Sequence, residues 1–184
     1  MQTQPQQSLQ GKHIAVLMTD GVEQVEYTEP RRFLEAHGAQ VTLLAPKPRG
    51  ADVQGFNHLQ PAERFAVEMD VRGAASTGFD ALVLPGGVAN PDQLRLSREA
   101  LDFIRAFAHE NKPIAAICHG PWPLIDAGVA QGKQLTSWPS LHQDLTNAGA
   151  EWRDEEVVVD GKLVTSRKPD DIPAFNQALL QELV

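Results

Sequence analysis

Cysteine is nearly absent from this sequence, since Cys118 is the only one among 184 residues. A single cysteine excludes an intramolecular disulfide, so the fold cannot depend on one. The sequence also lacks any apolar run near the roughly 18 residues of a membrane-spanning helix, and it shows no secretory signal peptide. We therefore expect a cytosolic protein that does not associate with membranes.

Positive charge is scarce as well. The 16 lysines and arginines form no cluster and are outnumbered by 24 aspartates and glutamates, for a formal net charge of −8. Nucleic acids and anionic membranes bind clustered basic side chains, so neither is an expected partner. The six histidines and the cysteine show no paired spacing typical of a metal site, and we expect no metal.

The length of the chain fits one domain with a sizeable core. Residues 1–11 are predicted to form a disordered leader, because the first ten are polar and include five glutamines and a proline. Residues 12–184 are predicted to form a single α/β domain. We see no internal repeat and no second domain.

Short apolar runs alternate with longer amphipathic segments along this domain. The apolar runs predict strands at 12–18, 40–45, 80–84, 114–117 and 133–137, and the amphipathic segments predict helices at 22–37, 97–110, 141–148 and 169–184. The first helix should be interrupted or kinked near Pro30, and Ser97 should cap the second. Residues 46–78 suggest a hairpin or small edge strands, and Asp160-Gly161 predicts a hairpin between 155–159 and 163–166. The alternation predicts a doubly wound, mostly parallel sheet with helices on both faces.

Cys118 stands where the apolar run 114–117 stops and a turn begins, in the segment KPIAAICHGP (112–121). Ala116 and Gly120 flank it at two residues on either side, which is the small-residue spacing of a nucleophile elbow. Pro121 suits the first turn of a following helix, whose free N–H groups and dipole would lower the pKa of the thiol. A lone intracellular cysteine is often an inert core residue, but this position at the end of a strand favours a catalytic or redox role.

Acidic residues follow the first strand at a second strand end. Glu23 and Glu26 are three residues apart, so on a helix they would share roughly one face and look into the cleft above the sheet. They could equally belong to a solvated first turn, where the helix dipole favours acidic side chains. From the residues alone, both interpretations stay open.

Several motifs in order resemble the PfpI family, the group that includes intracellular cysteine peptidases and Parkinsonism-associated deglycases and is related to class I glutamine amidotransferases. The motifs are DGVEQVE (20–26), DALVLPGG (80–87), AICHGP (116–121), LTSWP (135–139), NAGAEW (147–152) and VVVDG (157–161). The resemblance spans the chain from about residue 12 to its end. It implies a flavodoxin-like sandwich with a nucleophile elbow.

The resemblance also implies roles for individual residues. Cys118 would be the nucleophile, and a protonated Glu26 would donate a hydrogen bond to its thiolate. The backbone N–H groups of Gly87 and His119 would form the oxyanion hole, and the His119 side chain would be the general base. In oligomers of this family a neighbouring subunit supplies a carboxylate, for which Asp92 is the nearest match. Residues 88–91 form a loop one residue longer than the family pattern.

A second departure from the family pattern is Trp138, which stands where tyrosine is common, so a phenol hydroxyl is lost and substrate preference could differ. The expected function is a stress-protective, cofactor-free cysteine hydrolase or lyase acting on reactive carbonyls, their adducts or peptides. The alternative is a non-enzymatic redox-sensing or chaperone-like protein with an oxidisable Cys118. A glutamine amidotransferase would need a late His-x-Glu, and the only near match is HQD at 142–144. The resemblance implies a homodimer, with a hexamer as the larger alternative.

Overall fold

The computed structural model describes residues 8–184 and is built around a seven-stranded sheet. The strands in chain order are β1 (His13–Leu17), β2 (Val22–Glu23), β3 (Gln40–Ala45), β4 (Asp52–Asn57), β5 (Gln60–Ala66), β6 (Met69–Asp70), β7 (Ala81–Leu84), β8 (Ile114–Ile117), β9 (Gln134–Leu135), β10 (Glu151–Trp152), β11 (Val158–Asp160) and β12 (Leu163–Ser166). The helices are α1 (Gln24–Ala36), α2 (Ala89–Leu94), α3 (Arg98–His109), α4 (Trp122–Asp126), α5 (His142–Asn147) and α6 (Ile172–Leu183).

The central sheet has the strand order β11-β12-β8-β7-β1-β3-β6. Every neighbouring pair is parallel except β11 and β12, which form an antiparallel hairpin around Asp160-Gly161. The parallel order places the carboxyl ends of β1, β7 and β8 side by side at one edge of the sheet. Ligands gather at such an edge in doubly wound folds, so the three segments after these strands are brought together there.

Side chains of the sheet alternate between two apolar layers. In β1, Ile14 and Val16 face the layer that holds helices α1 and α6, while Ala15 and Leu17 face the layer that holds α3, α4 and α5. All four side chains are buried. The sheet is therefore covered on both faces, and the predicted α/β sandwich with a mostly parallel central sheet is confirmed.

Two smaller sheets lie beside the central one. Strands β2, β4 and β5 form a three-stranded sheet, and β9 pairs with β10. The hairpin expected within 46–78 is therefore present as β4 and β5, but it pairs with β2 and leaves only the short β6 on the edge of the main sheet. The strand expected at 133–137 is reduced to β9 and stays outside the main sheet.

The first helix differs from the prediction. Residues 22–23 form β2, because their backbone pairs with β4, and the helix starts only at Gln24. Pro30 lies inside α1 without interrupting it, and its side chain is buried. An interior proline removes one backbone hydrogen bond, but packing of the buried face of the helix keeps the segment helical.

The predicted disordered leader is wrong where it can be checked. The side chain of Leu9 is fully buried in the core, and its backbone N–H donates to the His37 carbonyl oxygen at 2.8 Å. Residues 1–7 lie outside the described residues. Within residues 8–184, none of the helices has both the length and the apolar character needed to cross a membrane.

Candidate active site

Cys118 occupies the sharp turn between β8 and α4 with a φ of 63°, a left-handed conformation that non-glycine residues rarely adopt. Hydrogen bonds on both sides hold this conformation. The Cys118 N–H donates to the Ser166 carbonyl oxygen at 3.0 Å, and the Cys118 carbonyl oxygen accepts from the Trp138 N–H at 2.8 Å. The predicted nucleophile elbow is therefore present, with its strained residue held by two neighbouring segments.

Glycines surround this turn where side chains could not fit. A Cβ atom on Gly120 would overlap the Leu84 carbonyl oxygen, and one on Gly86 would lie 2.6 Å from a carboxyl oxygen of Glu26 and 2.8 Å from the Cβ of Cys118. Real Cβ atoms do not approach other atoms so closely. The small residues therefore allow the elbow, the Pro-Gly-Gly turn and α1 to meet around the sulfur.

Glu26 lies in the first turn of α1 and is completely buried. One carboxyl oxygen, Oε2, accepts from the Gly86 N–H at 2.8 Å, while Oε1 has no partner that meets hydrogen-bond geometry. Burial raises the pKa of Glu26 to about 8, against opposing hydrogen bonds from Gly86 and Cys118. The negative charge of Glu23 adds a smaller upward contribution. The carboxyl group is therefore protonated at neutral pH, as expected from its buried position.

The pKa of the Cys118 thiol is raised, chiefly by burial and further by the charge of Glu26 when that residue ionises. The predicted lowering of this pKa is therefore wrong in its net direction. The backbone N–H groups of Gly87 and His119 do lower the pKa, but removal of the sulfur from water outweighs them. On raising the pH, the first ionisation of this pair leaves one proton shared between the Glu26 carboxyl and the sulfur.

Two backbone donors point at the sulfur. The N–H groups of Gly87 and His119 both donate toward Sγ, which lowers the thiol pKa and partly offsets burial. These are the two groups that the family resemblance implies for the oxyanion hole. Gly87 has a φ of 78°, and its missing side chain allows it to approach the backbone of residues 21–23.

The His119 side chain lies beside the sulfur, with Nδ1 at 3.3 Å from Sγ. Its other ring nitrogen, Nε2, is 3.3 Å from the hydroxyl of Ser140. The ring stacks on Trp138, with ring centroids 6.0 Å apart. Burial lowers the pKa of His119, so the imidazole is neutral at neutral pH and able to accept a proton.

Glu23 lies at the same site, but on a strand and not on the predicted helix. It ends β2 and does not share a helix face with Glu26, yet both side chains line the cavity above Cys118. The buried Glu23 carboxylate accepts from the His58 N–H at 3.1 Å. His58 has a φ of 56° at the tip of the β4–β5 hairpin. Glu23 therefore holds this tip against the site.

These groups open into a cavity of about 420 Å³. Its lining combines the site residues with an apolar set: Gly21, Glu23, Glu26, Phe56, His58, Leu59, Gly87, Val88, Ala89, Cys118, His119 and Trp138. Within the described part of the chain, no group of three or more histidine, cysteine, aspartate or glutamate side chains is arranged to hold a metal ion.

Residues 12–182 match the sequence model of the DJ-1/PfpI family. The chain belongs to the DJ-1/PfpI family. General stress protein 18 of Bacillus subtilis is 43% identical over 92% of this chain and 96% of its own length. Protein/nucleic acid deglycase 2 of Escherichia coli is 42% identical over 94% of this chain and 98% of its own length.

The fold of a solved family member is also similar. Drosophila melanogaster DJ-1beta superposes with a TM-score of 0.84 at 32% sequence identity, covering 94% of this chain and 90% of the other. The resemblance to this family inferred from the motifs is therefore confirmed. Because the match spans nearly all of the described residues, it applies to the whole sheet and to every segment that forms the site.

Two residues singled out by comparison with the family pattern lie in different surroundings. Asp92 is exposed on α2 and does not line the cavity of its own chain, so a role for it would need a second subunit. His142, of the HQD segment considered for an amidotransferase, stacks on Trp152 with ring centroids 4.5 Å apart and also lies outside the cavity lining. The structure thus brings Cys118, His119 and Glu26 together and leaves Asp92 and His142 apart.

Sequence reasoning missed two residues that shape the site. Ser140 contacts His119, but one serine after Trp-Pro carries no signal of this role. Asn90 is fully buried and ties the Pro-Gly-Gly turn to the end of β1. Its Oδ1 accepts from the Thr19 N–H at 2.7 Å, and its Nδ2 donates to the carbonyl oxygens of Pro85 and Gly86. An Asn-Pro sequence indicates only a turn, so the local sequence does not predict this contact across the sheet edge.

Proposed function

We propose that this protein is a stress-protective, cofactor-free cysteine enzyme that acts on reactive carbonyl compounds or their adducts. One observation carries the proposal. A cysteine in a strained elbow faces a cavity together with a protonated carboxyl, a neutral imidazole and two backbone N–H donors. The names of the relatives, a general stress protein and a deglycase, support the same direction.

The arrangement suits nucleophilic attack on a carbonyl carbon. The neutral His119 imidazole, with Nδ1 3.3 Å from Sγ, takes the Cys118 proton, and the thiolate forms a C–S bond while the carbonyl oxygen takes the electron pair of its double bond and becomes an oxyanion, which then accepts that proton back from His119. The N–H groups of Gly87 and His119, which already point at the sulfur, would stabilise that oxyanion. The Glu26 carboxyl would keep the thiolate hydrogen-bonded before attack.

For an α-oxoaldehyde, R–CO–CHO, the reaction is balanced without a cofactor. His119 removes the hydrogen of the former aldehyde carbon as a proton and returns it to the neighbouring carbon, while the hydroxyl proton passes to the former ketone oxygen, which leaves the thioester R–CHOH–CO–S on Cys118. Water then hydrolyses the thioester and releases the hydroxy acid R–CHOH–COOH and the free thiol. The aldehyde carbon is oxidised and the ketone carbon is reduced, so no external oxidant is needed.

The test compares the wild type with Cys118→Ala on methylglyoxal and on a fluorogenic peptide. We expect turnover of methylglyoxal that falls at least about 10³-fold in the variant, because the nucleophile is removed. Circular dichroism of both proteins controls for folding. Cys118-dependent cleavage of the peptide alone would assign the same residues to a peptidase, and equal rates for both proteins on both substrates would refute the enzyme proposal.

A second candidate function uses the same cysteine without turnover. Cys118 is a free thiol bordering a cavity that a peroxide can enter, and the chain has no second cysteine for an intramolecular disulfide. Attack of the thiolate on a peroxide would give a sulfenic acid and release water or an alcohol. Intact-mass measurement after peroxide treatment tests this redox-sensing role, since oxidation no faster than that of a small free thiol would contradict it.

We further propose that the protein is a homodimer or a larger oligomer in which Asp92 approaches His119 of a neighbouring subunit. The exposed position of Asp92 on α2 is compatible with such a contact. Sedimentation at micromolar concentration measures the oligomeric state, and a monomer there would contradict the proposal.

A further inference from the structure

The exposed apolar side chains of this protein are concentrated at the mouth of the active-site cavity. Among the described residues, six large hydrophobic side chains are exposed, namely Leu59, Val88, Leu96, Trp138, Val159 and Val184. In the single subunit Leu59, Val88 and Trp138 are 87%, 59% and 39% exposed, and all three line the cavity above Cys118. We call these three residues the rim. Single exposed apolar residues are ordinary, whereas several around a functional cavity indicate what binds there.

The rim is connected to the reacting groups. Val88 follows Gly87, whose N–H points at the sulfur, and Trp138 stacks on the His119 ring. Leu59 follows His58, whose N–H is held by the buried carboxylate of Glu23. A substituent attached to a carbon bonded to Sγ would therefore share the cavity with apolar side chains from three separate segments.

Within the described residues, the cavity lining contains neither a lysine nor an arginine to pair with an anionic substrate. The acidic side chains that line it are Glu23, which accepts from a backbone N–H, and Glu26, which is protonated at neutral pH. A phosphate or carboxylate on the substrate would lose its hydration here without gaining a lysine or arginine partner. The site therefore disfavours an anionic substrate.

We infer that the rim of Leu59, Val88 and Trp138 selects neutral α-oxoaldehydes that carry an aromatic or branched apolar substituent in preference to methylglyoxal. The aldehyde carbon lies at Cys118 and the substituent packs on the rim. This inference rests on the proposed function and adds a substrate class to it. The bonds formed and broken are those of the α-oxoaldehyde reaction above, with R as the apolar group.

The test measures kcat/KM for phenylglyoxal and methylglyoxal with the wild type, Leu59→Ser, Val88→Ser and Leu96→Ser. Leu96 is a matched control, because this leucine is 79% exposed but does not line the cavity. We expect the wild type to prefer phenylglyoxal by about tenfold or more, the scale of discrimination by apolar contact. The ratio of the two kcat/KM values should fall about threefold or more in Leu59→Ser and in Val88→Ser, and should stay unchanged in Leu96→Ser.

Two results would overturn the inference. One is a wild-type kcat/KM that is higher for methylglyoxal than for phenylglyoxal. The other is a ratio of the two kcat/KM values that Leu59→Ser and Val88→Ser change no more than Leu96→Ser does. If neither aldehyde is turned over, the proposed function is refuted. The selectivity of the rim is then tested separately, by measuring how well a bound ketone protects Cys118 from alkylation. Protection by acetophenone but not by acetone supports an apolar-selective rim, and equal effects of the two ketones refute it.

Discussion

The floor and the rim of the cavity are built in opposite ways. The floor, formed by Cys118 and Glu26, is buried and is positioned by β8 and by α1, with Gly86 of the turn after β7 packed against both. The rim side chains are 39–87% exposed and come from a hairpin tip and two loops. Strands in a parallel sheet hold atoms with little freedom, whereas loops tolerate change. The comparison indicates that the sheet determines the chemistry and the loops determine which substrate receives it.

The floor also contains two features that lower the stability of the folded protein. Cys118 has a left-handed backbone conformation, and Glu26 is a carboxyl group removed from water. Each feature is unfavourable for folding and is held by surrounding contacts. Such features are typical of functional sites, where reactivity is gained at the expense of stability. The rim shows no comparable strain except at His58, beside Leu59.

The largest effect we expect in the floor is a dependence of stability on pH caused by Glu26. Its pKa is about 8 in the folded protein, whereas the ordinary pKa of a glutamate is 4.5, so between these pH values the folded state holds a proton that the unfolded state has lost. The contribution of Glu26 to stability is therefore greatest below pH 4.5, and it decreases as the pH rises toward 8, by at most about 1.4 kcal/mol per pH unit. Glu26→Gln should remove this decrease, as urea unfolding at pH 5 to 8 would show.

Glu29→Gln is the matched control for this experiment. Glu29 lies on the same helix, but its side chain is partly exposed and paired with Arg32. Parallel pH curves for the wild type and Glu26→Gln would mean that Glu26 does not hold its proton in the folded state. The floor, like the rim, would then contain no buried group whose protonation changes on unfolding between pH 5 and 8.

The next effect concerns the close packing of the floor. Gly120→Ala should destabilise the protein by about 1–3 kcal/mol, because the added Cβ would overlap backbone oxygen atoms that cannot move aside. For a chain of this length, that corresponds to a decrease in Tm of about 2–12 °C. Gly73→Ala adds a Cβ in open space and should change Tm little. Equal Tm values for the two variants would show that the elbow packs more loosely than the structure indicates.

The smallest effect we expect concerns Ser140, whose hydroxyl lies beside the His119 ring. Ser140→Ala removes the hydroxyl beside Nε2 of His119, and the free energy of one neutral hydrogen bond corresponds to about a 2- to 10-fold decrease in kcat. KM should stay the same, because Ser140 positions the imidazole and does not line the cavity. Ser140→Thr retains a hydroxyl and should restore part of the activity. An increase in KM with kcat unchanged would instead place Ser140 in substrate binding.

Elements with strong local signals were predictable from sequence. Strands β3 and β8 have the predicted bounds, and the Ser97 hydroxyl caps α3 by accepting from the Ala100 N–H. The Asp160-Gly161 hairpin is present as well. Continuous apolar runs, a capping serine and an Asp-Gly turn act through neighbouring residues, so their effect can be judged from a short window.

The misassigned elements depended on distant partners. Residues 22–23 form a strand because their backbone pairs with β4. Leu9 belongs to the core and not to the predicted leader, because its side chain is fully buried. Pro30 stayed within α1 because packing of the helix against the sheet outweighs one missing hydrogen bond. In each case a contact far along the chain overrode a local preference.

The sequence by itself determined the fold class and the elbow at Cys118. Only the tertiary structure decided that the thiol pKa is raised, that Glu23 holds the hairpin tip, and that Leu59, Val88 and Trp138 share one rim. The physical reason is that burial and proximity are sums over segments distant in the chain. A local pattern can place a residue at the end of a strand, but the residues packed around it determine its pKa and its neighbours.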